Sequence, residues 1–373
     1  MQFICNKETM CKAIAHVLKA VSSKSTLPVL EGICIHTQEN RITLTGYNLE
    51  IGIRTTIPAT CNTEFTFVLN AKLFYDMVRK MPEEEITFEI DQELNAMLSS
   101  SSGNTHYRIS AVSAEDFPEL PVVESTAKIS VPQEMLRTMI QESRFAASEK
   151  EDQPILTGEL FEARDGIFFI VAMDRYRLAL RQEPFKEMQD FHFVVPKKAL
   201  EELIGILALK EKNNADATCE FFTNGRHIVF CVNGFELFAR LLEGKFHNFR
   251  TSIPSDSKTT VILNKRDIIA CAERCSLLIN EKNKAPMRCV FTENFVEISC
   301  ETPIGSIRDR IPAENFGENM TIGLGNKFLL DALKACQCDR IRFQMSGGNK
   351  VIKITPIDDE SFIYLIMPTQ LRN

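Results

Sequence analysis

The sequence lacks the features that identify a membrane protein, a secreted protein or a uniformly basic protein. No apolar run approaches about 18 residues, so we expect no membrane span. The first residues lack a charged segment followed by an apolar one, so we expect no signal peptide and, by default, a cytoplasmic location. The formal net charge is −7 and the pI is near 5.6. Any contact with a polyanion therefore has to come from a local basic face.

The common signatures of catalysis and metal binding are also missing. There is no GxxxxGK[ST] nucleotide-binding loop and no GxSxG motif, and no histidine is accompanied by an obvious nucleophile. No paired carboxylates recur with metal-ligand spacing. The twelve cysteines lie mostly in apolar or strand-like stretches, and the close pairs Cys271 with Cys275 and Cys336 with Cys338 lack CxxC spacing. We expect reduced, buried thiols, and neither a metal nor a cofactor.

What the sequence does contain is a threefold repeat. At 373 residues with 44% hydrophobic content, the chain is long enough for two or three domains. Landmarks recur at intervals of 126 to 132 residues: the residue before the first helix of each third, a turn inside it, and the residue before its second helix. They are Asn6, Pro132 and Asn264; Asn48, Asp174 and Glu301; and Asn70, Pro196 and Gly325. We therefore predict three similar domains, over residues 1–126, 127–252 and 253–373.

Each third is predicted to be an α+β domain in which two amphipathic helices pack on antiparallel strands. The first helix is predicted from about residue 7 through at least 19, and the others over 71–81, 133–145, 197–209, 265–278 and 326–335. Residues 38–40 and Gly46 are turn candidates between apolar runs. The proline-containing stretches 116–123 and 243–254 are predicted as linkers.

Basic residues recur at helical spacing on these helices, opposite apolar stripes such as Leu73, Met77 and Met81 in the second. They are Lys12 and Lys19, Lys72 and Arg79, Arg137 and Arg144, Lys327 and Lys334, the more widely spaced Arg266 and Arg274, and Lys197, Lys198 and Lys210 on the fourth helix. Seven residues make nearly two turns, so most pairs lie along one face. One interpretation is that these cations merely solvate exposed helices. The other is that six helices present positive charge to one polyanion without reading bases.

Several short motifs occur in a distinctive order along the repeat. They are TLPVL at 26–30, DFP at 116–118, LTG at 156–158 followed by LF at 160–161, VAMDRYRLA at 171–179, and YLIMP at 364–368. Each motif alone is only modestly specific. In this order, on a threefold repeat of this length, the chain resembles the bacterial sliding clamps, the beta subunits of DNA polymerase III, over its full length.

The resemblance implies a head-to-tail homodimeric ring of six domains with the DNA clamp fold, which encircles duplex DNA and confers processivity. It places the subunit interface on Tyr107 and Ile109 at one end of the chain and on Leu277 and Leu278 at the other. It implies contacts with double-stranded DNA, independent of base sequence, for Lys24, Lys150, Lys197 and Lys198, and for the helix residues Lys12, Lys72, Arg79 and Arg137. The implied partners are the DNA polymerase III catalytic subunit, other repair and replication proteins that bind the clamp, and a separate clamp loader, since the chain has no ATPase motif of its own.

The resemblance also implies a pocket for partner peptides between the second and third domains. Its residues are Leu156, Met173, Arg175, Tyr176, Arg177, Leu178, His247, Met367, Pro368, Thr369, Gln370 and Leu371. A largely apolar groove with a few polar groups suits several peptides that share one or two hydrophobic anchors. Two positions depart from the family's pattern: Arg175 stands where a small residue is usual, and Gln370 stands where the tail often has arginine.

Two other hypotheses remain open from the residues alone. The first is an enzyme that acts on nucleic acid, with Asp174, Arg177 and His247 as its site. The second is a scaffold protein of repeated α+β domains that never touches DNA. The sequence favours a non-enzymatic DNA sliding clamp over both.

Overall fold

The computed structural model describes residues 1–61, 63–124, 128–185, 189–209, 217–279 and 285–371. These ranges contain the α-helices α1 (Lys7–Val17), α2 (Ala71–Lys80), α3 (Gln133–Ser143), α4 (Lys197–Leu207), α5 (Lys265–Ser276) and α6 (Asn326–Ala335). Tighter 3-10 turns at Leu18–Ala20 and Arg144–Ala146 complete the first and third predicted helices. The other helices end within two residues of their predicted bounds. The predicted basic residue Lys210 lies outside the described residues.

Capping side chains explain where three of the helices begin. Asn6, Asn70 and Asn264 each accept a hydrogen bond from a backbone N–H two or three residues later, at 3.0, 3.0 and 2.9 Å. This bond satisfies one of the free N–H groups of the first turn. The other three helix landmarks, Pro132, Pro196 and Gly325, also stand directly before a helix. The repeat interval in the sequence therefore reflects where each helix starts.

One compact unit consists of Met1–Arg137 and Lys198–Leu241 and holds two sheets. The five-stranded sheet has the order β5 (Thr60–Cys61), β1 (Gln2–Asn6), β7 (Glu85–Ile90), β8 (Asn95–Ser100), β9 (His106–Ser110). The nine-stranded sheet has the order β10 (Val112–Ser113), β6 (Phe65–Asn70), β2 (Gly32–Gln38), β3 (Arg41–Tyr47), β4 (Ile51–Pro58), β18 (Phe235–Arg240), β17 (His227–Val232), β16 (Thr218–Thr223), β11 (Ile129–Pro132). Strands β4 and β18, from different thirds of the sequence, pair with Ile53 opposite Leu237.

The second unit consists of Thr138–Lys197 and Leu242–Asn373 and holds one twelve-stranded sheet. Its order is β15 (Phe191–Pro196), β12 (Gly158–Arg164), β13 (Ile167–Met173), β14 (Arg177–Pro184), β26 (Phe362–Ile366), β25 (Ile352–Pro356), β24 (Arg340–Met345), β19 (Thr259–Asn264), β22 (Gly305–Gly317), β21 (Phe295–Thr302), β20 (Met287–Phe291), β23 (Met320–Leu324). Here β14 pairs with β26, with Leu178 opposite Leu365. Sheets that continue across sequence repeats leave fewer open strand edges.

The α+β architecture with antiparallel sheets and two helices in each third is confirmed. The middle third of the sequence contributes strands to both compact units, because its chain passes from one to the other within α3 and at the start of α4. The two units therefore do not coincide with the three predicted domains, whose boundaries stay a prediction. In the described ranges no helix is both long and apolar enough to cross a bilayer.

Two turn predictions were wrong. Gly46 lies inside β3, and a Cβ atom there would stand 2.4 Å from the carbonyl oxygen of Val17. Glycine is required at this position because α1 passes directly over the strand. Glu301 lies inside β21, and the turn follows it, with the Thr302 hydroxyl bonded to the Gly305 carbonyl at 3.1 Å.

The buried faces of α1 and α3 are apolar, and the stripe predicted for α2 was correct only in part. Met10, Ile14 and Val17 of α1 are buried, as are Leu136, Met139 and Ile140 of α3. In α2 the buried residues are Ala71, Phe74 and Val78. Of the predicted stripe, Leu73 is exposed, Met77 is half-buried, and Met81, directly after the helix, is buried. Several apolar residues in this helix allow more than one stripe, so periodicity alone does not settle which side faces the sheet.

Candidate functional site

A tight turn between β13 and β14 forms the centre of the predicted pocket. One carboxylate oxygen of Asp174 accepts hydrogen bonds from the backbone N–H groups of Tyr176 and Arg177, at 2.7 and 2.9 Å. Asn48 makes the same kind of turn in the first third, with bonds of 3.0 and 2.8 Å to the backbone at 50 and 51. Asp174 is the first residue of its turn and closes the turn with its own side chain. The side chains of residues 175 and 176 therefore point outward.

Arg177 is a fixed, buried cation beside this turn. Its side chain is only 6% exposed and lies 3.1 Å from a carboxylate oxygen of Asp174 and 2.5 Å from one of Asp331. The guanidinium also lies over the rings of Phe145 and Phe328, 5.6 and 5.0 Å from their centroids. Two carboxylates and two aromatic faces compensate the buried charge, so this residue joins the turn to α6.

Next to Arg177 lies a pocket of about 180 Å³. Its apolar surface includes Leu156, Phe328 and the ring of Tyr176, which stacks on Phe328 with centroids 5.6 Å apart. The lining residues are Ala147, Ser148, Glu149, Lys150, Asp152, Gln153, Leu156, Asp174, Arg175, Tyr176, Arg177, Lys327 and Phe328. An apolar interior with a charged rim is suited to a short peptide with a hydrophobic anchor.

Four of the predicted pocket residues line this cavity: Leu156, Arg175, Tyr176 and Arg177. Sequence reasoning missed the segment around Asp152 and the start of α6, including Lys327 and Phe328. Neither carries a motif signal of its own. They reach the cavity only because the fold brings two distant segments to the turn.

The other predicted pocket residues are not among the residues that line this cavity in the described part of the chain. Leu178 is buried and Met173 packs against the same core cluster. His247 is exposed, whereas its neighbours Phe246 and Phe249 are buried.

The predicted tail passes beside the turn. The Met367 N–H donates to the Tyr176 carbonyl at 2.8 Å, and the Thr369 N–H donates to the Gly323 carbonyl at 2.8 Å. Leu371 packs at Gly323, where an added Cβ would stand 3.0 Å from its side chain. Pro368 and Gln370 lie between these contacts. The tail is therefore held along β23 by its backbone.

The predicted DNA-facing cations are mostly exposed, and several are already paired. Lys12 lies 2.6 Å from Glu8, Arg79 lies 3.1 Å from Asp76, and Arg137 lies 3.3 Å from Glu134. The remaining predicted cations are exposed apart from Lys197, which is half-buried; they are Lys24, Lys72, Lys150, Lys197 and Lys198. The pairs within helices are of the exposed kind that contributes little to stability.

The helices are nevertheless more basic than the chain as a whole. Their sequences contain 13 lysines and arginines against nine aspartates and glutamates. The complete chain has a net charge of −7. Positive charge is therefore concentrated on the helices, as the repeated basic pairs suggested.

The predicted interface residues differ in exposure. Leu277, at the end of α5, is 78% exposed, and Leu278 beside it is half-buried. Ile304 is 61% exposed, in the hairpin turn whose Gly305 lies against Leu278. Sequence reasoning missed Ile304, although an apolar residue at a hairpin tip is itself a signal.

At the other predicted end, Ile109 is buried and Tyr107 is half-buried. Both lie on β9, the last strand of the five-stranded sheet, with Tyr107 opposite Leu98 and Ile109 opposite Ala96 on β8. The outer edge of β9 has no strand partner among the described residues. An edge strand of this kind can pair with another chain.

Among the described residues, the three side chains of the enzyme hypothesis do not line one cavity. Asp174 and Arg177 neutralise each other, and His247 is not part of the described cavity lining. Burial raises the pKa of Cys5 and Cys289 to about 12 and that of Cys34 to about 11, so these thiols stay protonated at neutral pH. Within the described ranges, no group of three or more His, Cys, Asp or Glu side chains is arranged to hold a metal ion.

Comparison with known proteins accounts for almost the entire chain. The DNA polymerase III beta subunit family matches with its N-terminal domain at residues 1–121, its central domain at 130–248 and its C-terminal domain at 250–370. The beta sliding clamp of Halalkalibacterium halodurans is 31% identical over 385 residues, which cover 99% of this chain and 100% of the relative. The beta sliding clamp of Bacillus subtilis is 30% identical over 383 residues, with the same coverage.

Solved structures agree with these relatives. A DNA polymerase III beta subunit from Eubacterium rectale has a TM-score of 0.93 at 31% identity and covers 99% of each chain. The DNA polymerase sliding clamp from Bacillus subtilis has a TM-score of 0.94 at 29% identity and covers 100% of each chain. With three successive domains matched and both sequence and fold shared from end to end, the chain belongs to the DNA polymerase III beta subunit family, the sliding clamps that act as non-enzymatic processivity factors in DNA replication.

Proposed function

We propose that two copies of this chain close head to tail into a ring around duplex DNA and tether the DNA polymerase III catalytic subunit through the pocket at Leu156, Tyr176 and Phe328. Other repair and replication proteins use the same pocket in turn. A separate clamp loader opens and closes the ring, because the chain has no nucleotide-binding motif. The ring acts on DNA in the cytoplasm.

The observation that carries the proposal is the concentration of cations on the helices of an acidic chain. Lysine and arginine on helices attract phosphates without reading base sequence. The negative charge of the rest of the chain discourages DNA from wrapping around the outside. A ring lined by such helices holds DNA inside and still permits movement along it.

Exposed apolar side chains support the ring. Leu277 and Ile304 flank Leu278 in one unit, and such a cluster on the surface of a monomer is typical of an interface. The outer edge of β9, which has no strand partner in the described part of the chain and carries Tyr107, offers a different surface on the same chain. Two different complementary surfaces make a head-to-tail contact, and such contacts form a ring when the rotation closes.

The cavity supports tethering. It is small and partly apolar, and its floor is fixed by the buried Arg177 and the Tyr176–Phe328 stack. A preorganised site of this kind binds a short segment without reorganising. Several partners can therefore share one anchor chemistry and compete for one site.

The test is retention on circular DNA. Purified protein and a bacterial clamp loader are incubated with ATP and a nicked plasmid, and the protein that co-elutes with DNA is measured before and after linearisation. We expect retention on the circle and loss within minutes of cutting. Equal retention on circular and linear plasmid would contradict encirclement, and turnover of DNA by the protein alone would favour the enzyme hypothesis.

Charge reversal tests the DNA-facing residues. The triple variant Lys24→Glu, Lys150→Glu, Lys198→Glu should weaken the low-salt affinity of the protein for linear duplex DNA and reduce the salt dependence of that affinity. The matched control reverses Lys258 and Lys350, exposed lysines outside the predicted set. If the control lowers this affinity as much as the triple variant, the assignment of these residues is wrong.

A further inference from the structure

We propose that Cys336 and Cys338 form a redox-active dithiol, which a hydroperoxide oxidises reversibly to a disulfide between the two side chains. The oxidant is hydrogen peroxide or an organic hydroperoxide. Neither cysteine belongs to the predicted pocket, the predicted interface or the predicted DNA-facing set, so a failure of the proposed ring would leave this chemistry unaffected.

The two cysteines stand where the chain leaves α6 for β24. Helix α6 ends at Ala335, residues 336–338 form neither helix nor strand, and β24 begins at Arg340. The backbone of Cys336 is extended, with φ −74° and ψ 147°. Because neither a helix nor a strand ladder fixes this segment, its backbone can adjust when a ring closes across the single residue Gln337.

Lys265, the first residue of α5, holds both ends of this segment. Its ammonium Nζ donates to the Cys336 carbonyl at 2.8 Å, and its backbone N–H donates to the Asp339 carbonyl at 2.8 Å. The two thiols lie between these anchors and are hydrogen-bonded to each other. The folded chain therefore brings the two sulfur atoms together before any oxidation, which favours reaction between them.

The two thiols differ in the way that a peroxide-reactive pair requires. Cys338 is half-buried, so a small oxidant reaches it, whereas Cys336 is only 2% exposed. The hydrogen bond from Cys336 and the charge of Lys265 lower the pKa of Cys338, against the opposing effects of burial and Glu142. The same hydrogen bond raises the pKa of Cys336. The thiolate is the form that attacks a peroxide, so Cys338 reacts first and Cys336 follows.

The reaction with hydrogen peroxide transfers two electrons and yields two molecules of water. The Cys338 thiolate attacks one peroxide oxygen, so an S–O bond forms, the O–O bond breaks, and the departing hydroxide takes up a proton. The Cys336 sulfur then attacks the sulfur of the Cys338 sulfenic acid. The S–S bond forms, the S–O bond breaks, and the second hydroxide leaves with the Cys336 thiol proton. Both sulfurs are oxidised, and the peroxide is reduced.

Cys271 and Cys275 form a second hydrogen-bonded thiol pair, but their geometry prevents the same reaction. Both are fully buried inside α5, four residues apart. Side chains at this helical spacing have Cβ atoms about 5–6 Å apart, whereas a disulfide needs about 3.5–4.5 Å. The helix would have to unwind before this bond could form. This second pair is therefore a matched control in the same chain.

The experiment treats the full-length protein with hydrogen peroxide, alkylates the remaining thiols under denaturing conditions and maps the peptides by mass spectrometry. We expect the tryptic peptide of residues 335–340 to lose both alkylation sites and two hydrogen atoms. Excess dithiothreitol should restore both sites, because a disulfide in so small a ring is strained and easily reduced. The peptides that carry Cys271 and Cys275 should stay alkylated in the same digest.

Serine substitutions separate the roles of the two sulfurs. In Cys336→Ser, oxidation should stop at the Cys338 sulfenic acid, which dimedone traps, and the disulfide should be lost completely. In Cys338→Ser, Cys336 should stay alkylated after treatment. The control variant Cys271→Ser should form the disulfide between Cys336 and Cys338 at the wild-type rate.

Three results in the wild type would each overturn the dithiol. They are full alkylation of Cys336 and Cys338 after treatment, a disulfide that joins either of them to another cysteine or another chain, and an equal loss of alkylation at Cys271 and Cys275. Dimedone labelling of Cys336 in place of Cys338 would overturn the order of attack. These readouts need no substitution, so they decide the question even if Cys336→Ser does not fold.

Discussion

Replacing Leu277 by alanine should weaken the proposed ring at both of its joints, because two head-to-tail copies form the same interface twice. Leu277 is 78% exposed in the single chain, so nearly all of its side chain is available for burial in the ring. Full burial of a leucine contributes about 1.5–3 kcal/mol. An alanine side chain retains a small part of this burial free energy. We therefore expect the free energy of association to weaken by about 2 kcal/mol per interface and about 4 kcal/mol per ring. At about 1.4 kcal/mol per factor of ten, the dimer dissociation constant rises about 1,000-fold.

The assay is sedimentation velocity or mass photometry over a dilution series of the unmodified and variant proteins. Val122→Ala is the matched control, since Val122 is 76% exposed but lies in the predicted linker 116–123. It should leave the dimer dissociation constant unchanged. Leu277→Asp should be monomeric at micromolar concentration, because the interface would bury a carboxylate. A dissociation constant for Leu277→Ala within threefold of the wild type would refute the assignment of this interface.

Three further substitutions test the packing and electrostatics. Arg177→Ala leaves two partly buried carboxylates without their partner, so the free energy of unfolding should fall by about 3–5 kcal/mol in urea titrations. Gly46→Ala forces a Cβ against the Val17 carbonyl and should cost about 1–3 kcal/mol in the same assay. Burial, aided by Lys19, lowers the pKa of His16 below 6.5. The unfolded chain then binds more protons between that lowered pKa and 6.5, so stability should fall as the pH drops through this window, and His16→Phe should reduce the slope.

Controls for these variants come from the same chain. Arg164→Ala removes an exposed ion pair and should change stability by less than about 1 kcal/mol. Gly347→Ala adds a methyl group whose nearest neighbour is 3.8 Å away, so little change is expected. Equal losses in a variant and its control would contradict the proposed cause. Parallel pH profiles for the wild type and His16→Phe would exclude this histidine as a source of the pH dependence.

The helices could be predicted from the sequence because their signals are local. Apolar periodicity marks their length, and a side chain such as Asn6 or Asn264 fixes the first turn by itself. The equal spacing of such residues then predicts a repeated unit without any knowledge of tertiary structure. The repeat, in turn, predicted the antiparallel α+β architecture.

The strand pairing between thirds could not be predicted. A strand such as β4 has the same alternation whichever neighbour it meets, so nothing local identifies β18 as its partner. Gly46 illustrates the same limit: a glycine needed for close approach of a helix resembles a turn residue until the helix is placed. These features depend on contacts between residues far apart in sequence.

In the candidate site, too, features set by local sequence could be predicted and features set by distant contacts could not. The Asp174 turn was predictable, because a side chain that closes its own turn leaves a short local pattern that recurs at Asn48. Asp152 and Phe328 were not, because each joins the cavity only through the fold. The departure at Arg175 was visible in the sequence, but its ion pair with Asp152, at 2.5 Å, could be found only in the folded chain.

The ion pairs between helix cations and acidic residues of the same helix affect how the proposed ring holds DNA. A cation such as Lys12, already 2.6 Å from a glutamate on its own helix, has to leave that partner before it gains a phosphate, so each DNA contact yields little free energy. Many weak contacts of this kind exchange quickly, and none of them holds the duplex in one register. Retention then has to come from the closed ring, whose strength depends on apolar contacts such as Leu277 that salt does not screen. Raising the salt should therefore weaken contact with the duplex long before it opens the ring, and the two processes separate in a retention assay on circular DNA.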